Sequence, residues 1–132
     1  MAIDVNILSV AFPDPAGPDT FLVLKAPTDT FGGGLTLLDA YFVNHAATTS
    51  GTSFSLSLQR FSNAGTPAVN GTIAAATGGT ADPWADSVPK QFTLDTSYTF
   101  LDAGEWLAAV YAEQSSGNPT NGRLVLVYQL GR

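Results

Sequence analysis

His45 is the single histidine of the chain, so any imidazole chemistry would have to run through it. It follows Asn44 at the end of an apolar run, and no G-x-S-x-G elbow is present to offer it a serine nucleophile. One imidazole does not make a zinc site, and the absence of cysteine removes thiolate ligands and disulfides together. Carboxylate pairs are the other candidates. Sugar-cleaving enzymes hold two acids about 5 to 9.5 Å apart across the scissile bond, and Asp102 with Glu105, or Asp82 with Asp86, has the composition for it. Both pairs sit in turn-like sequence rather than along a strand. Asp102-Ala103-Gly104-Glu105 reads as a tight turn whose Asp side chain bonds its own backbone. Asp14, Asp19, Asp82 and Asp86 could give oxygens to Ca²⁺, but the D-x-D-x-D-G spacing is missing. Gly32-Gly33-Gly34 is followed by Leu35 and Thr36 where a phosphate loop needs Lys, and reads as a bulge or a close backbone approach. The triplet Asn70-Gly71-Thr72 reads as a turn. No catalytic residue, metal or cofactor is expected, and the chain is not read as an enzyme.

The elements that would carry such groups are constrained by composition. A chain of 132 residues, 45% of them apolar, fits one domain with a core. Charged residues are 12% of the total, about half the usual share. The net charge is −6 and the five cations are scattered, so no basic stripe exists to displace counterions from a nucleic acid. Residues 40–59 and 61–81 carry no Asp, Glu, Lys or Arg, yet they are too rich in Thr, Ser, Asn and Gly to cross a bilayer as helices. Asp4 stands where a secretory signal would carry a cation, and a cysteine-free acidic chain is expected to be made in a reducing cytoplasm. Fifteen Thr and ten Ser make the wet faces hydroxyl-rich. Such faces dock on protein without stranding buried charge, which favours a subunit of an oligomer or assembly.

Apolar residues recur at period two. In 53–61, Phe54, Leu56 and Leu58 alternate with Ser55, Ser57 and Gln59, which predicts one buried and one wet face. In 20–26, Phe21, Leu22, Val23 and Leu24 form a continuous apolar run, the mark of a strand covered on both sides. Residues 4–12, 35–44, 68–75, 90–95, 105–113 and 122–130 read as strands too, with Gly-, Asn- and Pro-bearing turns between them. The expected fold is all-β, an antiparallel β-sandwich of jelly-roll type with about eight strands. Residues 105–130 read as a closing hairpin of central strands, with Trp106, Leu107, Val110, Tyr111, Leu124, Leu126 and Tyr128 in the core. Three prolines between Phe12 and Asp19 suggest a connector, dividing the chain into an N-terminal strand or arm (1–19) and a sandwich domain (20–132). Phe12, Pro13 and Pro15 in that connector, and Trp84 in the Gly- and Pro-bearing excursion 77–89, are the candidate subunit or shell contacts.

The run Phe100-Leu101-Asp102-Ala103-Gly104-Glu105-Trp106-Leu107, with Val110-Tyr111 and Gly122-Arg123-Leu124-Val125-Leu126-Val127-Tyr128, resembles the closing hairpin of small β-rich virion accessory proteins of tailed bacteriophages. Val69-Asn70-Gly71-Thr72-Ile73 and Gly51-Thr52-Ser53-Phe54-Ser55-Leu56 fit that style. The resemblance implies a capsid decoration (cement) protein that binds the assembled shell, with the major capsid protein or other virion subunits as partners. It would act as a homo-oligomer such as a trimer, on the outer surface of the head, after synthesis in the host cytoplasm. A tail or baseplate structural role is the near alternative. A different class, a carbohydrate-binding host-attachment module, would stack sugar rings on Trp84, Tyr98 or Tyr111.

Overall fold

A computed structural model describes residues 5–12, 19–28, 33–44, 53–79, 87–113 and 122–131. Its strands are β1 (Val5–Ala11), β2 (Asp19–Lys25), β3 (Leu35–Val43), β4 (Ser53–Phe61), β5 (Pro67–Gly79), β6 (Pro89–Gln91), β7 (Phe100–Leu101), β8 (Trp106–Glu113) and β9 (Arg123–Leu130). No helix occurs among the described residues. One sheet runs β1-β9-β3-β6, with β7 also on β3, and the other runs β2-β8-β4-β5. All pairings are antiparallel. This is the expected β-sandwich, and its strand order is that of a jelly roll.

Alternation explains why the layers form. In β3 the side chains of Leu35, Leu37, Ala40 and Phe42 are buried, and in β9 those of Leu124 and Leu126. They meet Leu56 and Leu58 of β4 and Leu107, Ala109 and Tyr111 of β8 in one core. The change of parity in β3 comes from a bulge between Leu37 and Asp39, which leaves Leu38 42% exposed.

Several expectations are corrected. β8 and β9 do not form a hairpin: β8 lies between β2 and β4, and β9 between β1 and β3. The short chain between them crosses from sheet to sheet, so their matching apolar patterns face each other across the core. Of the large side chains expected in that core, Leu107, Tyr111, Leu124 and Leu126 are buried. Trp106, Val110 and Tyr128 are only half-buried. Trp106 sits on the outer side of its sheet with Lys25 Nζ 5.5 Å from its ring centre.

The division at residue 19 does not separate an arm from a body. β1 pairs with β9 from Val5↔Gln129 to Ala11↔Arg123 and is an edge strand of the same sandwich. The strand expected at 90–95 is shorter, Pro89–Gln91. Asn70-Gly71-Thr72 is not a turn, because it lies inside β5.

Candidate docking surfaces

The carboxylates weighed for catalysis are structural where they are described. Glu105 N–H donates to Asp102 O at 2.9 Å, and Gly104 at φ 84° supplies the positive φ that a type II turn needs. The turn is as expected, but its side-chain bond comes from the other acid: Glu105 Oε1 accepts the Asp102 N–H at 2.6 Å. Arg60 Nη2 then binds both Glu105 oxygens, at 2.9 and 3.2 Å, and lies 3.6 Å from Asp102 Oδ2. An acid held by a guanidinium and a backbone amide is in use as a brace. Gly34 makes the close approach its triplet suggests. At φ 111°, an added Cβ would stand 2.6 Å from Phe100 Cζ and 2.8 Å from Leu101 O. Among the described residues no group of three or more His, Asp or Glu could hold a metal.

The proposed contact and stacking residues separate sharply. Phe12 is 6% exposed and meets Phe21 and Phe42 edge-on, with ring centres 5.0 and 5.3 Å apart. It is therefore a core residue and offers no contact surface. Tyr111 is 1% exposed, so no sugar can stack on it. Pro13, Pro15 and Trp84 lie outside the described residues, as do His45, Asp14, Asp82 and Asp86. Asp19 opens β2, where its Oδ1 accepts the Thr20 N–H at 2.8 Å. Tyr98 is half-buried and borders an open groove of about 450 Å³ with Thr72, Thr93 and Asp95. Asp95 N–H donates to Ile73 O at 2.7 Å, which fixes the 92–98 loop against β5.

The broad surfaces are the outer faces of the two sheets. On the β2-β8-β4-β5 sheet, register sets Leu22, Ala108, Gln59 and Thr72 in one row and Thr20, Val110, Ser57 and Ala75 in the next. Gln59 Nε2 donates to Ser57 Oγ at 3.0 Å. Among the described residues Lys25, over Trp106, is the one charged side chain of this face. The hydroxyl-rich wet face expected from β4 is thus extended by methyl groups from β8 and β5.

The exterior of the β1-β9-β3-β6 sheet mixes apolar side chains with one acid and one base. Val5 and Ile7 of β1 are 54% and 70% exposed. Register places Ile7 beside Val127, and Val127 beside Asp39. The next row holds Ser9, Val125 and Tyr41, and the one beyond it Ala11, Arg123 and Val43. Arg123 Nε donates to Ser9 Oγ at 2.8 Å, and Asp39 accepts from Gln91 Nε2 at 3.1 Å. Sequence reasoning gave the strand at 4–12 one wet face, and the residues found on it are Val5, Ile7, Ser9 and Ala11; the strand at 20–26, read as covered on both sides, has Leu22 44% exposed. An open side is legible only in the structure.

No family profile matches the sequence, and neither does any curated protein. Among solved structures the chain is similar to a CocE/NonD family hydrolase (SACOL2612) from Staphylococcus aureus. The two are 14% identical over 98% of this chain and 31% of that one, with a TM-score of 0.41. A chain of the infectious bursal disease virus Gx strain matches at 11% identity over 97% of this chain and 36% of its own, with a TM-score of 0.30. The chain spans about a third of the length of each. What it does must come from its own surfaces.

Proposed function

We propose that this protein is a virion structural protein of a bacteriophage, most specifically a capsid decoration protein that binds the assembled head and reinforces it. The observation that carries this reading is the outer face of the β2-β8-β4-β5 sheet, where Lys25 is the one charged side chain among the described residues. A wide face of hydroxyls and methyls can be covered by another protein without desolvating ions, each of which would cost several kcal/mol. The resemblance of 100–107 and 122–128 to phage accessory proteins supplies the partner class. Many weak copies on one shell act in concert, so modest single-site affinity suffices. The net charge of −6 suits a surface turned to solvent on a particle that must not aggregate.

The test is co-sedimentation of purified protein with bare mature phage heads, beside the variant Ala75→Glu, which sets a carboxylate on that face. Binding by the native chain and its loss in the folded variant support the reading. Native protein that stays in the supernatant overturns it. The groove beside Tyr98 favours a second reading, recognition of a neutral sugar by one aromatic ring with Asp95 and two Thr hydroxyls. Glycan binding abolished by Tyr98→Ala would select that reading instead.

A further inference from the structure

We infer that the outer face of the β1-β9-β3-β6 sheet is the seat of a second copy of this chain, packed face to face across a two-fold axis. This goes beyond shell binding, which the other sheet carries, and holds or fails independently of it.

Val127, Val125, Tyr41 and Val43 form an apolar strip along the middle of the face, and Ile7 is 70% exposed at its margin. Exposed apolar strand surface of this extent normally marks contact with protein. Charge then selects the occupant. Asp39 lies on β3 opposite Val127, and Arg123 lies on β9 opposite Val43. Register therefore holds the two about 14 Å apart within one chain, from four residues of rise and one strand spacing. The side-chain partners given for the two are neutral: Gln91 for Asp39 and Ser9 for Arg123. The midpoint between them falls on the Tyr41–Val125 pair.

A two-fold axis lying in the interface plane over Tyr41–Val125 exchanges the two positions. Each Asp39 then meets the other copy's Arg123, and the contact is made twice. An isologous interface requires such self-complementarity. An acid on one side of an apolar patch and a base on the other, equidistant from its centre, provides it. The sheet measures roughly 24 Å along the seven residues of β1 and roughly 19 Å across its four strands, at most about 450 Å² a copy. That is near the lower bound for a specific interface, so the dimer is expected to be reversible and concentration-dependent.

Sedimentation equilibrium of the full chain, without heads present, tests this. The native protein should show a monomer–dimer equilibrium. Ile7→Lys should abolish it, since the side chain is already exposed and the fold does not depend on it. Asp39→Arg and Arg123→Asp should each weaken association roughly tenfold or more by setting like charges together. The double variant should regain most of the native affinity, because the reversed pair again attracts. Circular dichroism of each variant confirms folding. A native chain that remains monomeric, one that forms trimers, or a folded double variant no tighter than the singles overturns the inference. Heads are bound or ignored through the opposite sheet in any of these cases, so co-sedimentation reports separately.

Discussion

Arg60 and Glu105, 45 positions apart in the chain, close one end of the sandwich with a two-pronged contact, Nη2 to Oε1 at 2.9 Å and to Oε2 at 3.2 Å. Arg60 shares its inward parity with Leu107, so the guanidinium is drawn over the core rather than into water. Its side chain is 20% exposed and that of Glu105 is 15%, whereas Asp102, the third member, is 69% exposed.

Arg60→Ala is expected to lower stability by about 3 kcal/mol, because it leaves a largely buried carboxylate without its cation. Asp102→Ala should change stability by less than about 1 kcal/mol, since an exposed ion pair is screened. Urea unfolding of the two variants checks the ratio. Equal effects would mean that burial is not what sets the strength of this brace.

Phe12→Ala should cost about 3–5 kcal/mol, in the range for emptying a packed aromatic site. The ring joins β1 to both sheets through Phe42 of β3 and Phe21 of β2. Thermal unfolding measures the loss, and an unchanged midpoint would contradict the core placement.

Gly122→Ala is expected to destabilise by about 1–3 kcal/mol through overpacking. An added Cβ would run into Phe42 Cζ and stand 2.6 Å from Cε1, at the tip of a ring that is itself fully buried. The paired variant Gly122→Ala with Phe42→Leu should lose less than the sum of the two singles, which a double-mutant cycle reads directly.

Leu107→Ala should be more damaging than Trp106→Ala, although Trp is the larger residue. Leu107 is fully buried, and its loss should cost about 2–5 kcal/mol. Trp106 is half-buried on the outer side and is covered in part by Lys25. A larger loss at Trp106 in chemical denaturation would reverse this ranking.

The strands were legible because period-two alternation is a local signal. β4 runs from Ser53 to Phe61, the span expected, and β3 and β9 differ from expectation by one residue. The destination of a strand is not local. Nothing in 106–130 distinguishes a hairpin from a crossover, because both need apolar residues at alternate positions on each strand. Trp106 was misplaced for a related reason: the parity that buries Leu107 turns its neighbour outward, and size alone suggested burial. The turn at Asp102 was readable from Gly104, but the acid that binds there was not, since Arg60 reaches it only through the fold. The two outer faces were half legible. Hydroxyls on β4 marked one of them, whereas the apolar residues Val5 and Ile7 on the outward side of β1 were not told apart from core residues.

The separation of β8 and β9 into different layers has a consequence for how the molecule is made. Each layer has its middle supplied by one of these two segments; β1 and β2 have no other strand to zip onto, and β3 has besides β9 only the short β6 and β7. During synthesis the hairpin of β4 and β5 can form alone and β3 can meet β6 and β7, whereas β1 and β2 must wait for β9 and β8. Completion of either layer is therefore tied to the arrival of its own central strand. Until then the outer faces of the two sheets are incomplete, because the strands at their middles are missing.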